Sequence, residues 1–505
     1  MLARLAELPL LVVLLGLAGG FALLPAIHAL ATDQTALGRG FFYSALIILI
    51  GTVMLGIATA AFTPRNPARS HLAALVGAYA VLPLVMALPL LETVPDTTLT
   101  NAWFEMISAF TTTGATVYAA DRLPDAVHVW RATVGWFGGF MTLLAAYAIL
   151  APLNLGGAEV ATGRVPGRGA IGAGQITRTA DPSERLTRFA LQLFPVYTAL
   201  TLALWILLMI AGDSGTNALI LAMGTLSTSG IMGQGGLGTG SSGIVGEGLV
   251  FAFLIFAITR RALPGTGLTE NRRPLASDPE LRLAALILVG VTALLFLRHW
   301  VMVDEGVIAV EGNEALASLW GVLFTSASFL TTTGYISADW QTAAAWTGIS
   351  APGLVMMALA IIGGGTATTA GGVRLLRVYA LLRHGERELE LIVHPNSVGG
   401  GGSGARRLRR EGAQLAWVFF MLFAVSIAVT SALLTLAGLD FEPALVLTIA
   451  ALTTTGPLAA LGGADPMIYA DLGDWVKAIL GLAMIVGRLE TLALLVLFLP
   501  RRGQG

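Results

Sequence analysis

Thr111-Thr112-Thr113-Gly114 ends a short apolar segment, and the same design returns as Ser227-Thr228-Ser229-Gly230, Thr331-Thr332-Thr333-Gly334 and Thr453-Thr454-Thr455-Gly456. Glycine alone tolerates the backbone dihedrals that turn successive carbonyls toward one axis. Four such strands around an axis would form an oxygen cage that replaces the water shell of a cation. One copy by itself reads as a helix end with a glycine cap. Four in register predict an ion pore built from one polypeptide.

The chain around these motifs belongs in a membrane. Of 505 residues, 55% are hydrophobic and only 12% charged, against roughly 25% charged in a soluble domain. Crossing a bilayer takes about 20 apolar residues. Ten segments qualify, near 9–31, 41–62, 72–91, 129–151, 188–211, 245–260, 283–302, 350–383 with an interruption, 413–437 and 475–499. The first lacks a small-residue cleavage site, so it reads as a retained helix. Four half-length segments, near 100–112, 215–227, 314–331 and 441–453, each lead straight into a glycine motif.

The motif glycines are 116, 104 and 122 residues apart. Each interval holds a helix, a basic loop, another helix and a short helix, and like-oriented repeats imply an axis along the membrane normal. The expected fold is an all-α integral membrane protein: two N-terminal helices, then four pseudo-fourfold helix–pore loop–helix repeats around a central ion pore. The divisions fall at 1–65 for the two leading helices, 66–160, 161–265 and 266–398 for the first three repeats, 399–405 for a Gly-rich linker and 406–505 for the fourth repeat.

Orientation follows from the basic residues, which are retained on the cytoplasmic side. With the N-terminus inside, 23 of the 29 Lys and Arg fall in inner segments, the C-terminus is also inside, and every glycine motif opens outward. Outer segments carry acids such as Glu92, Asp121, Asp304, Asp440 and Asp474. These either concentrate cations at the mouth or are simply what the positive-inside bias leaves outside. A net charge of −1 with dispersed basic residues argues against a nucleic-acid partner. There is no cysteine, hence no disulfide or thiol chemistry.

Irregular backbone is tolerated at membrane depth only where it is buried in protein or lines a watery path. The carbonyl end of each half-helix adds partial negative charge beneath the motif, and the Thr hydroxyls can serve as ligands or braces. The second copy departs most, because the glycine-rich stretch 233–243 follows Ile231-Met232. Pro457 removes a donor after the last motif glycine and stiffens the outer mouth.

A second polar interruption is Gly363-Gly364-Gly365-Thr366-Ala367-Thr368-Thr369-Ala370-Gly371-Gly372, followed by Arg374. It should break the eighth span beneath the third motif, although a small-residue packing motif between helices is the plainer reading. Arg488 stands within the last apolar span, where an isolated charge costs at least about 3 kcal/mol. Pairing with Glu490 or another acid would compensate it.

Several of these motifs resemble the superfamily of potassium transporters that comprises the bacterial Trk and Ktr membrane subunits and the plant and fungal HKT and Trk proteins. Phe104-Glu105 before Phe110 and the first motif is similar to the family's first pore helix, Trp136-Phe137-Gly138-Gly139 to its following helix, and Gly487-Arg488-Leu489-Glu490 to its last helix. The two extra leading helices favour the TrkH-like branch. The resemblance implies K+ as the transported ion, held by residues 111–114, 227–230, 331–334 and 453–456. It implies further that 363–372 is an intramembrane loop gating the cytoplasmic path and that Arg488 projects into the pore below the filter. A serine at the first filter glycine accompanies sodium transport in some plant members, and here all four are glycine.

The resemblance also implies a homodimer with one pore per protomer, in a bacterial cytoplasmic (inner) membrane. The basic segment 384–412, with its Gly399 to Gly404 run, reads as a flexible linker against anionic lipid or, by resemblance, as a docking point for cytosolic nucleotide-binding TrkA-like regulatory subunits. The chain itself has no P-loop, and no covalent cofactor is expected. An enzyme is disfavoured: His28, His71, His128, His299, His384 and His394 are scattered, with no HExxH pair. Two rival readings remain, a proton- or sodium-coupled symporter on the same scaffold, which would use broken helices too, and a poorly selective K/Na transporter.

Overall fold

The computed structural model describes residues 9–60, 67–150, 182–237, 241–263, 275–302, 312–348, 351–394, 410–463 and 465–489. Helices account for nearly all regular structure among them, without a strand. Seven are long and apolar enough to cross a membrane: Leu10–Ala31, Thr35–Thr59, Ala73–Thr93, Asp125–Leu150, Arg185–Ile210, Pro279–Arg298 and Gly412–Leu436. The linker 399–405 and the last expected span beyond Leu489 lie outside the described residues.

Four units share one plan. The first runs Pro67–Thr93, the short helix Leu99–Phe110, then Asp125–Ala145 with a π turn over Ala146–Leu150. The second is Pro182–Ile210, Gly215–Ser227 and Gly243–Ile258, the third Pro279–Met302, Gly312–Leu330 and Gly353–Ile362 resuming as Leu375–Val393, and the fourth Arg410–Leu436, Phe441–Leu452 and Asp474–Leu489. Thr98 and Ser214 cap the first two short helices by accepting from the N–H groups of Asn101 and Asn217, satisfying a donor that helix geometry leaves orphaned.

The differences from expectation have local causes. The first leading span is divided at Ala22 into Leu10–Phe21 and Leu23–Ala31, and the second starts at Thr35, where Gln34 ends a tight turn through the left-handed Asp33. A short helix over Trp340–Thr347, not foreseen, follows the third motif and ends on the left-handed Gly348. The helix Asp125–Leu150 is buried from Ala126 to its end, whereas Thr35–Thr59 leaves Ile47, Val53 and Ile57 exposed. Burial explains Trp136-Phe137-Gly138-Gly139. A Cβ on Gly138 would stand 1.9 Å from the Phe110 carbonyl oxygen, and one on Gly139 2.7 Å from Ser227 Cβ. The fourth unit repeats this approach, since a Cβ on Gly487 would stand 2.2 Å from the Leu452 carbonyl oxygen. Gly138→Ala is therefore expected to cost about 1–3 kcal/mol through overpacking, seen as a lower thermal midpoint of the detergent-purified protein.

Candidate functional site: a closed ring of four helix ends

All four glycine motifs end their short helices in one way. The middle residue is left-handed in each: Thr112, Thr228, Thr332 and Thr454 have φ of 56°, 54°, 56° and 55°. Each donates its N–H three residues back, to Ala109, Thr225, Phe329 and Ala451. The next residue reaches five back, Thr113 to Ser108, Ser229 to Gly224, Thr333 to Ser328 and Thr455 to Ala450, at 2.8–2.9 Å. This is the Schellman termination, whose left-handed position normally belongs to glycine. A β-branched residue there is an outlier and costs about 1–2 kcal/mol. The same strain occurs four times over, and such strain concentrates at functional sites.

The hydroxyls on either side act as braces. Thr111, Ser227, Thr331 and Thr453 donate to the carbonyls of Ile107, Met223, Ala327 and Ile449. Each also lies 2.8–3.3 Å from the hydroxyl two residues on, at Thr113, Ser229, Thr333 or Thr455. The second motif shares this geometry despite its glycine-rich flank. The fourth is the one that departs: Gly114, Gly230 and Gly334 have φ of 72°, 63° and 82°, but Gly456 has no positive φ and opens a 3-10 turn with Pro457.

These ends meet one another in a ring. A Cβ on Gly114 would stand 2.0 Å from the Ser229 carbonyl oxygen, one on Gly230 2.1 Å from that of Thr333, and one on Gly334 2.8 Å from Pro457 Cγ. Gly456 closes the circle by donating its N–H to the Thr113 carbonyl at 2.6 Å. Pro457 thus packs against the third motif's glycine.

Residues 363–374 break the third unit's helix beneath this ring. Gly363, Ala367, Gly372 and Arg374 are left-handed, with φ of 73°, 58°, 77° and 83°. The loop reaches three motifs. Thr228 Oγ1 donates to the Thr369 carbonyl at 2.9 Å, Thr369 Oγ1 to the Leu226 carbonyl at 3.1 Å, and Gly371 N to Thr332 Oγ1 at 2.7 Å. A Cβ on Gly371 would meet the Thr453 carbonyl oxygen at 2.3 Å. The other two left-handed hydroxyls, Thr112 Oγ1 and Thr454 Oγ1, are buried with no partner among the described residues.

Arg488 is buried on the fourth unit's second helix. Its Nε donates to Thr142 Oγ1 at 2.8 Å, and Thr142 also contacts the Tyr79 hydroxyl at 3.0 Å. Nη1 and Nη2 have no acceptor among the described residues, and Glu490 lies outside them. Tyr79, Tyr197 and Arg374, one from each of the other units, lie near the guanidinium.

Two carboxylates brace the ring from behind. Glu105 Oε1 pairs with Arg131 Nε at 2.5 Å while its Oε2 accepts the Val117 N–H at 3.0 Å. In the third unit Thr325 takes the place of Glu105, accepting the Ser337 N–H at 3.3 Å. Glu247 adds acceptors there for Trp320 Nε1, Ser337 Oγ and the Ala338 N–H. The bracing roles of Arg131 and Glu247 were missed from sequence; the available signal was a charge embedded in an apolar helix. Removing one partner of a buried pair costs about 3–5 kcal/mol, so Arg131→Ala should lower the thermal midpoint clearly. Exposed pairs such as Arg383–Glu386 should hardly register when broken.

The family model for TrkH, described as a cation transport protein, matches residues 249–503. The Trk system potassium uptake protein TrkH of Halomonas elongata is 30% identical over 467 residues, 91% of this chain and 92% of that protein. This chain belongs to the TrkH family. The TrkH protein of Escherichia coli K12 is 28% identical, with 95% of each chain covered. A crystal structure of the potassium transporter TrkH from Vibrio parahaemolyticus superposes with a TM-score of 0.77 at 26% identity, over 99% of each chain. The TrkH fold accounts for the two leading helices and the four repeated units, and the protein is a multi-pass membrane protein of a cation transport family.

Proposed function

We propose that this TrkH family member takes up K+ across the bacterial cytoplasmic membrane through the ring of four helix ends, which forms a selectivity filter. The observation that carries this reading is the ring closure: Gly114 and Gly230 are held against the next motif's backbone, Gly334 against the Pro457 ring, and Gly456 donates to the Thr113 carbonyl. Filter ligands are backbone carbonyls of residues 111–114, 227–230, 331–334 and 453–456. The unpartnered hydroxyls of Thr112 and Thr454 offer further oxygens at the base, which gives the strained threonines a purpose that glycine could not serve. The curated relatives named for potassium uptake support K+ as the cargo.

Residues 363–372 act as the gate and Arg488 as a charge barrier below the filter. The loop's hydrogen bonds to Thr228 and Thr332 and the lack of acceptors for Arg488 Nη1 and Nη2 among the described residues support this. The positive-inside pattern supports a topology with both termini cytoplasmic. Resemblance supports a homodimer and a cytosolic TrkA-like regulatory ring. The proposed division is two leading helices over 1–65, repeats over 66–160, 161–265, 266–398 and 406–505, and the linker 399–405.

The test is radioactive rubidium uptake into proteoliposomes with K+ and Na+ as competitors. Uptake that follows membrane potential, is blocked by K+ in preference to Na+, and ignores an imposed pH or Na+ gradient fits the proposal. Uptake that requires such a gradient would establish coupled symport instead.

A further inference from the structure

Glu280 opens the third unit as the second residue of Pro279–Met302 and is buried. Its Oε1 accepts the N–H of Thr366, inside the intramembrane loop, at 2.7 Å. Among the described residues it is the one carboxylate bonded to that loop. Burying a polar group without a partner is costly, and the hydrogen bond to the Thr366 N–H offsets that cost for donor and acceptor alike.

The residues around Glu280 hold it in place. Asp278 Oδ1 accepts the Glu280 N–H at 3.2 Å, and its Oδ2 accepts the Thr259 hydroxyl at 2.5 Å and lies 3.5 Å from Arg261 Nε. Thr259 directly follows Ala257 and Ile258, which also seat the loop. Gly365 N and Thr368 Oγ1 donate to the Ala257 carbonyl at 2.9 and 3.0 Å, and a Cβ on Gly365 would stand 2.0 Å from the Ile258 carbonyl oxygen. The end of the second unit and the start of the third therefore form one cradle, joined through Thr259 and Asp278. The loop is held on one side by filter hydroxyls and on the other by this cradle, with Glu280 supplying the side-chain acceptor.

We infer that Glu280 is the positioning residue of the intramembrane loop: its carboxylate anchors Thr366, and losing that acceptor lets the loop leave the path beneath the filter. This rests on the reading of 363–372 as the gate. Removing the acceptor leaves the Thr366 N–H buried and unsatisfied in the seated loop, which shifts such an equilibrium by roughly 10- to 100-fold.

The chain has no cysteine, so Ala367→Cys places a single thiol on the loop. In inside-out proteoliposomes of the full-length A367C protein, labelling by a membrane-impermeant thiosulfonate reports loop release, and rubidium flux is read on the same vesicles. Adding Glu280→Ala should raise both labelling rate and flux at least about tenfold. Glu280→Gln, whose amide oxygen still accepts, should stay near the A367C parent, an outcome that mere loss of packing would not give. Glu280→Leu removes the acceptor with volume retained, should alanine yield no folded protein. Labelling within twofold of the parent in the alanine or leucine variant overturns the inference and leaves the gate reading standing. Raised labelling with unchanged flux overturns the gate reading instead.

Discussion

Gly230→Ala should reduce potassium uptake to the background of empty vesicles while leaving the protein extractable and folded. Its φ of 63° is open to alanine only at a cost of about 1–2 kcal/mol. The larger obstacle is the Thr333 carbonyl oxygen, 2.1 Å from where the methyl would sit. That oxygen belongs to the next motif, so relief at Gly230 must displace a neighbour that is itself held by Pro457 and the fourth motif. Gly456→Ala makes an instructive companion. No left-handed dihedral is at stake there, but the new Cβ would lie 2.3 Å from Ala115 N. Loss of uptake in both variants identifies contact around the ring as the common cause. Full activity in either, measured on reconstituted protein with normal thermal stability, would mean that the four ends do not act as one constriction.

Arg488→Ala should raise cation flux. Two like unit charges about 6 Å apart repel by roughly 3 kcal/mol at an effective dielectric of about 20, which is the scale of barrier a guanidinium beside the proposed path would set against a monovalent cation. Water in the path screens some of this, so the expected rise in rubidium flux is about tenfold or more, with K+ still preferred over Na+ because the filter is untouched. Arg488→Lys keeps the charge and should stay close to the parent. Unchanged flux in a well-folded alanine variant would make Arg488 a structural residue anchored on Thr142.

The fold was legible because each repeat carries its own punctuation. Apolar half-segments that stop at Thr/Ser-Gly stand out in hydropathy and composition alike, and the TrkH resemblance rested on residues that the structure explains. Gly138 and Gly487 face the last carbonyl of a short helix in two different units. What stayed hidden depended on three-dimensional neighbours. Nothing local marks Thr112 and its three equivalents as the left-handed residues, since chemistry would place glycine there. The second motif looked the most irregular by composition, yet the fourth departs in backbone, because Pro457 draws Gly456 into a 3-10 turn. Likewise, Glu280 and Thr366 are 86 residues apart in sequence. The cradle they form could not be read from either segment alone.

The most direct test of the ring as a cation site is a crystallographic experiment on the reconstitution-competent protein grown with Rb+ in place of K+. The account predicts an anomalous peak on the axis enclosed by residues 111–114, 227–230, 331–334 and 453–456, one that weakens on exchange into Na+. Well-phased maps with no Rb+ signal between the four helix ends, or with Rb+ bound only elsewhere, would contradict it.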